Sequence, residues 1–340
     1  MNEQGRSFFE CTRDVRRLLV LDLGFLGDTV HLFPALREIR NAYPEAELHV
    51  MAAEHVKHIL QVVPGVDQIL GYPRFPKGPR WYEDFGRVGE LRRSKYDVVI
   101  NLNGSDRSSI LTAASGAKWR LGRVPPKPAA FWKYCFSHTV DITHGGRPVF
   151  EQRWECIRAA GIPVGESAKF DLMIPADVQE SVNAKLGEAR PFIHVSPCTT
   201  QDQKELPLSE LTSLVSELIA DPDGPAVAIS CAPNDRERGK LRTLLAGLPT
   251  APWRVFEGNL TLLELSAVIG RSQAHFGGDS GALHLALMMG TPTISWFRDY
   301  MGKAEWLPPG EMHRHVIGEE SPDGLRGVTS ADLLAAWKRL

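Results

Sequence analysis

Short apolar runs alternate with amphipathic stretches along most of this chain, which predicts strands and helices in turn. Residues 17–23 read as a buried strand that stops at Gly24. Periodic apolar positions from Val30 through Leu32, Leu36 and Ile39 to Tyr43 predict one helix, broken by Pro44. Residues 47–52, 68–71 and 96–101 read as further strands, with a helical stretch at 55–63. The pattern restarts near residue 191, with strands at 191–196, 226–230, 253–256, 274–276 and 293–297. Helices fall between them at 207–220, 234–245, 261–269 and 282–289. Thr261 and Glu264 have the spacing of a capping box. The 293–297 strand is the last that the pattern gives, and 329–340 closes the chain as a short amphipathic helix.

This alternation predicts an α/β protein of two doubly wound halves joined near residues 161–175. The expected domains are 1–165 and 166–328, with the 329–340 helix packing back on the first domain. A chain of 340 residues fits two domains of ordinary size. Residues 73–80 read as a Pro/Arg/Lys-rich loop. No apolar run reaches the ~18–20 residues that span a bilayer, and 1–13 has no secretory apolar core, so a cytoplasmic location is expected. Cys11, Cys135, Cys156, Cys198 and Cys231 are scattered, which fits a reducing compartment better than a disulfide framework.

The net charge of −2 hides an asymmetry. Residues 1–165 carry 23 Lys and Arg against 18 Asp and Glu, whereas 166–340 carry 16 against 23. The basic half therefore suits an anionic partner. Its most basic stretch runs acid-free between Asp106 and Asp141, with Arg107, Lys118, Arg120, Arg123, Lys127 and Lys133 among Trp119, Phe131, Trp132 and Tyr134. Such a surface can receive a phosphorylated glycolipid, meet an anionic membrane face, or simply be solvated. No nucleic-acid module accompanies it.

Four loops that follow predicted strands can carry chemistry. In Gly24-Phe25-Leu26-Gly27-Asp28-Thr29-Val30-His31 the glycine spacing is neither a dinucleotide fingerprint nor a P-loop, and Asp28 is either a helix cap or a general base. After the 191–196 strand, Thr199 and Thr200 offer hydroxyls and Lys204 a compact cation, which together suit a diphosphate or make a plain polar loop. Asp235, opening a helix after the 226–230 strand, can meet a ribose or serve the helix's first turn. In Gly277-Gly278-Asp279-Ser280-Gly281-Ala282-Leu283-His284 the glycines admit close backbone approach, and the helix start suits a phosphate or sugar hydroxyls, unless Asp279 or Ser280 only caps. No metal-ligand spacing and no nucleophile elbow occur, so no bound metal is expected.

Three of these loops together resemble glycosyltransferase family 9, the ADP-heptose:lipopolysaccharide heptosyltransferases. Leu26-Gly27-Asp28-Thr29-Val30 through Pro34-Ala35-Leu36-Arg37 is similar to the family's opening L-G-D-x-V-x-x-x-P-A-L-R. Thr199 to Lys204 and Pro207 is similar to its T-x-x-x-x-K-x-W-P loop, with Leu206 in place of the aromatic. Asp279-Ser280-Gly281 with His284 and Ala286 is similar to its D-T/S-G-x-x-H-x-A turn. The resemblance runs from about Arg17 to about Val316. Departures fall at Trp296-Phe297-Arg298-Asp299-Tyr300, where the family commonly has small residues, and at Trp306-Leu307-Pro308-Pro309-Gly310.

The resemblance implies a GT-B fold, two Rossmann-like domains facing each other across a cleft, with acceptor in the first and nucleotide sugar in the second. It implies inverting, metal-independent transfer of heptose from ADP-heptose to a lipopolysaccharide core, with no cofactor beyond that donor. Asp28 would match the general base. Thr199, Thr200, Lys204, Ser280 and Gly281 would match the diphosphate site. Asp235, Leu260, Asp279 and His284 would match the nucleoside and sugar contacts, Leu260 by position at the adenine pocket. Gly27, Arg120, Arg123 and Lys127 are the candidates for the acceptor, with peripheral contact at the inner membrane surface. Two other readings keep the scaffold: transfer to a protein or secondary-metabolite acceptor, or nucleotide-sugar binding without catalysis.

Overall fold

The computed structural model describes residues 6–73, 84–142 and 145–340. The chain divides into two compact units, Met1–Met173 and Ile174–Leu340. The boundary lies later than 165 because the intervening segment stays with the first unit. The ring of Phe170 packs on Phe150 at 5.2 Å, Asp171 pairs with Arg37 at 3.4 Å, and the Met173 amide donates to the Val62 carbonyl at 2.8 Å.

In the first unit the order is α1 (Phe8–Thr12), β1 (Arg17–Leu21), α2 (Leu26–Val30), α3 (Phe33–Ala42), β2 (Glu47–Ala53), β3 (Gln68–Tyr72), α4 (Asp84–Ser94), β4 (Val98–Asn101), α5 (Asp106–Ala114), β5 (Trp119–Arg123), β6 (His138–Val140) and α6 (Val149–Ala159). The strands form a parallel sheet in the order β3-β2-β1-β4-β5-β6. Leu19, Leu21, Met51 and Val99 from adjacent strands meet Leu91, Tyr96 and Leu111 in one apolar cluster. The single helix expected through Val30 to Tyr43 is two. Pro34, at the second position of α3, has no N–H to bond the carbonyl of Val30, so the turn between them opens. The helical stretch expected at 55–63 is a 3-10 helix over residues 57–62. The 73–80 loop falls, from Arg74 on, outside the described residues.

The second unit runs α7 (Ala176–Leu186), β7 (Phe192–Ser196), α8 (Leu208–Ala220), β8 (Ala226–Cys231), α9 (Asp235–Gly247), β9 (Arg254–Glu257), α10 (Leu262–Arg271), β10 (His275–Gly278), α11 (Gly281–Met289), β11 (Thr293–Arg298), β12 (His313–Ser321), β13 (Gly324–Arg326) and α12 (Ser330–Trp337). Its sheet order is β13-β12-β11-β10-β7-β8-β9, parallel but for the β12–β13 hairpin. The apolar stripe of α8, Leu211, Leu214, Val215 and Leu218, meets Ile193, Val195, Ile229 and Phe276 of the sheet. Thr261 and Glu264 do cap α10 reciprocally.

Two strands follow the one expected to be last. Only three of the nine residues of β12 are buried, so it shows no apolar run. The tail helix packs on the second unit. Leu333 and Ala336 of α12 are buried in the second unit's core, Trp337 packs edge-on to Phe276 at 5.7 Å, and the Ser330 amide donates to Glu210 at 2.8 Å.

Candidate functional site

A doubly wound sheet reverses strand order between its first and fourth strands, and ligands bind where the loops there diverge. In the second unit that point lies between β7 and β10. The loop after β7 carries Lys204, and the loop after β10 carries Asp279 and Ser280. The Lys204 ammonium donates to Asp279 Oδ2 at 2.6 Å, and both side chains are largely buried. Ser280 is the N-cap of α11 yet makes no cap bond with its side chain. Its hydroxyl oxygen is buried and has no hydrogen-bond partner among the described residues. The first N–H groups of α11 stand beside it, unbonded within the helix as at any helix start. A cation, an open helix N-terminus beginning at Gly281 and an unsatisfied hydroxyl together describe a site for an anion.

The surroundings keep the charges in place. His284 is buried, lies edge-on to Trp306 at 5.5 Å, and burial pushes its pKa down to about 4 although the Asp279 charge works the other way. It is a neutral imidazole at pH 7. Burial, reinforced by Asp279, pushes the Tyr300 hydroxyl up to about 12, so it stays protonated. Arg298 lies over the Tyr300 ring at 4.8 Å and pairs with Glu320 at 2.6 Å. Gly278 is required here: a Cβ would sit 2.6 Å from Trp296 Nε1 and 2.9 Å from Thr199 Cγ2.

The remaining expected donor residues behave differently. The Thr199 hydroxyl donates to the Gln201 carbonyl at 2.7 Å and its amide to Glu205 Oε1 at 2.8 Å, so its proton is committed to the loop itself. Thr200 is exposed. Asp235 is fully exposed, at the start of α9. It lines a cavity of about 600 Å³ with Pro197, Leu208, Leu211, Arg236 and Lys240, and neither Lys204 nor Asp279 lines that cavity. Leu260 packs, half-buried, against the cluster of Phe256, Ala267 and Val268.

In the first unit the corresponding point lies between β1 and β4. Asp22, fully buried just after β1, pairs with Arg153 of α6 at 2.5 Å. Arg153 also bonds the Asp28 carbonyl and lies 3.4 Å from its Oδ1. Asp28 Oδ2 accepts the Phe25 amide at 2.9 Å, so the capping role is real, yet about a quarter of the side chain remains exposed. A Cβ on Gly24 would overlap the Asp28 side chain. Gly27 is buried, and its carbonyl accepts the His31 amide at 2.9 Å.

The other acceptor candidates divide. The Arg120 guanidinium is held by the carbonyls of Cys135 at 2.9 Å and Ala117 at 2.6 Å, which would have to be given up to meet a ligand. Arg123 bonds Gln152 at 2.6 Å. Lys127 is exposed. Among the described residues no three His, Cys, Asp or Glu side chains converge as metal ligands, and no helix is long and apolar enough to cross a membrane. Sequence reasoning missed Arg153, which sits 125 positions from Asp28 with no local signal. It also missed Tyr300, set aside as a departure, and Arg236 and Lys240, whose four-residue spacing on α9 was legible.

Comparison with known proteins adds four findings. The family model for glycosyltransferase family 9 (heptosyltransferase) matches residues 87–321. A lipopolysaccharide heptosyltransferase 3 of Escherichia coli is 23% identical, with 80% of this chain aligned to 81% of that protein. Among solved structures, a family 9 glycosyltransferase of Veillonella parvula superposes with a TM-score of 0.80 at 16% identity, over 95% of this chain and 96% of that one. The E. coli heptosyltransferase WaaC, solved with ADP, gives 0.76 at 17% identity over 95% and 99%. These likenesses establish two Rossmann-like domains of the GT-B type.

Proposed function

This chain belongs to glycosyltransferase family 9 and is a glycosyltransferase, and from that premise we propose that it transfers heptose from ADP-heptose to a lipopolysaccharide core, with inversion and without a metal. The observation that carries the donor half is the Lys204–Asp279 pair beside the unpartnered Ser280 hydroxyl at the start of α11. Donor diphosphate would take the Ser280 hydroxyl, the α11 N–H groups and the Lys204 ammonium, while Asp279 turns to sugar hydroxyls. Neutral His284 packs beneath and adds no charge. Support for an adenine nucleotide comes from the likeness to a heptosyltransferase solved with ADP. Support for a lipopolysaccharide acceptor comes from the named activity of the E. coli relative.

In this reading Asp28 takes the proton from the acceptor hydroxyl. The acceptor oxygen forms a bond to the anomeric carbon as the bond from that carbon to the phosphate oxygen breaks. ADP leaves with the bonding electron pair, and the anomeric configuration inverts. Lys204 and the α11 dipole neutralise the charge that grows on the departing diphosphate. Arg153 fixes the backbone of Asp28, which leaves the carboxylate oriented as a base. Lys127 remains the acceptor-side cation with an exposed side chain.

Peripheral membrane contact extends the same reading. Ile110, Phe131 and Tyr134 are exposed, the 3-10 turn Trp132–Cys135 packs against α5, and Lys133 stands over the Tyr134 ring at 5.0 Å. Aromatics among lysines suit an anionic lipid surface. The test of the function is a transfer assay with ADP-heptose and a heptose-deficient core oligosaccharide, read by mass increase and ADP release. A single added heptose is expected. ADP-heptose left intact with every core acceptor, alongside consumption of another nucleotide sugar, would overturn the donor assignment.

A further inference from the structure

Arg236 and Lys240 have no place in the chemistry above, yet they hold the loop that supplies Lys204. We infer that they are positioning residues for Lys204, an inference that rests on the proposed diphosphate site. Arg236 fixes three points of the 199–205 loop with one guanidinium. Its Nη1 donates to the Thr199 carbonyl at 2.7 Å, its Nε to Asp202 Oδ1 at 2.8 Å, and its Nη2 to Glu205 Oε1 at 2.7 Å. Lys240, one helical turn further along α9, bonds Asp202 Oδ1 at 3.0 Å and also Glu205 Oε2.

Glu205 is the centre of this arrangement. Its side chain is only 8% exposed, and it takes donors from Thr199, Arg236 and Lys240. Glu205 is the sheltered end, while Arg236 and Lys240 are each about a third exposed, so the hold comes from several charge-assisted bonds meeting on one buried carboxylate. A second brace comes from the hairpin. The Leu325 amide donates to the Glu205 carbonyl at 2.8 Å, and Gly324, at φ +110°, passes so close that a Cβ would lie 2.7 Å from that oxygen. Between these anchors lies the 3-10 turn Asp202–Lys204, where the Lys204 amide bonds the Gln201 carbonyl at 3.0 Å. A lysine side chain is long and flexible, so a fixed backbone beneath it narrows where its ammonium rests, here 2.6 Å from Asp279. The clamp supplies that fixing from α9, without itself contacting Asp279 or Ser280 in any described bond.

A long-range field from two extra cations would give a similar loss on deletion, and Arg236→Lys separates the two. It keeps the charge but cannot span Thr199, Asp202 and Glu205 at once. The experiment takes the full chain as wild type, Arg236→Lys, the Arg236→Met/Lys240→Met double variant, and Arg242→Met as an exposed charge control on the same helix. Hydrogen exchange of the 199–205 amides and ADP binding by calorimetry are measured on each. We expect both clamp variants to speed loop exchange with β7 and α11 unchanged, and to weaken ADP by about tenfold. Arg242→Met leaves both at wild-type values. Wild-type loop exchange in Arg236→Lys, or full ADP affinity with a loosened loop, overturns the inference. If wild type binds no nucleoside diphosphate, the functional reading fails on its own, and the exchange data still decide whether α9 holds the loop.

Discussion

The two units share one strand order and differ in what stands at its turning point. In the first, a carboxylate is presented: Asp28 is held by Phe25 and Arg153, and Arg153 is balanced by the fully buried Asp22. In the second, a cation and an open helix start are presented: Lys204 rests on Asp279, and the Ser280 hydroxyl lacks a partner. The same sheet therefore builds opposite electrostatics, and the choice is made by a few loop residues. At the first point Asp28 is already held by the Phe25 amide and, through its carbonyl, by the Arg153 guanidinium, which suits a base that must keep its aim. The second leaves a donor unfilled, which suits a ligand.

The sharpest way to break this contrast is Asp28→Asn. The amide keeps the size and can still accept from Phe25, but it cannot take a proton. Turnover should fall by about 10²–10⁴-fold with ADP affinity unchanged. A steady-state assay with parallel calorimetry checks this, and near-normal turnover removes Asp28 from the chemistry. Next comes Arg153→Met, which strands Asp22 as a buried charge. Breaking such a pair typically costs about 3–5 kcal/mol, so denaturant unfolding should show that loss or an unfolded first unit. A loss under 1 kcal/mol would contradict the reading of Arg153 as the brace of the buried Asp22.

The smallest effect concerns acid. Burial lowers the pKa of His194 to about 3 and of His284 and His313 to about 4, against 6.5 unperturbed. Unfolded chains therefore bind more protons than folded ones between about pH 4 and 6.5. Stability from these groups is complete above 6.5 and lost as pH falls, by ~1.4 kcal/mol per pH unit for each group still neutral in the fold. Burial lowers the pKa of five histidines of the second unit, with His275 and His315 beside these three, against His49 and His138 of the first, so the second unit should lose more stability to acid. Chemical denaturation of the full chain from pH 7 to 4.5, followed by Trp fluorescence and exchange, reads this order. First-unit amides exchanging earlier would contradict it.

Much of this was legible in the residues because parallel strands buried on both faces leave short apolar runs, and their ends mark the loops that matter. Asp279 and Ser280 follow such a run directly, and Asp28 and Lys204 lie in the segments after β1 and β7. What escaped lacked that signal. Strand β12 is half-buried and rich in His, Arg and Glu. The break between α2 and α3 depends on one missing N–H at Pro34, within an otherwise unbroken periodicity. Thr199 looked like a ligand donor, but its hydroxyl closes its own turn onto Gln201. The basic stretch read as one surface is partly structural, since Arg120 ties β5 to the carbonyl of Cys135. Pairings across long sequence separations, Asp22 with Arg153 or Glu205 with Arg236, emerge only once the chain has folded.

The central claim is that the second unit's turning point holds the diphosphate of an adenine nucleotide through Lys204. Calorimetric titration of ADP, UDP, GDP and TDP into wild type and Lys204→Met tests it most directly. The account predicts that ADP binds wild type more tightly than the other three do, and that it binds the variant about 10- to 100-fold less tightly. Equal ADP affinity in both proteins, or a clear preference for another base, would contradict it.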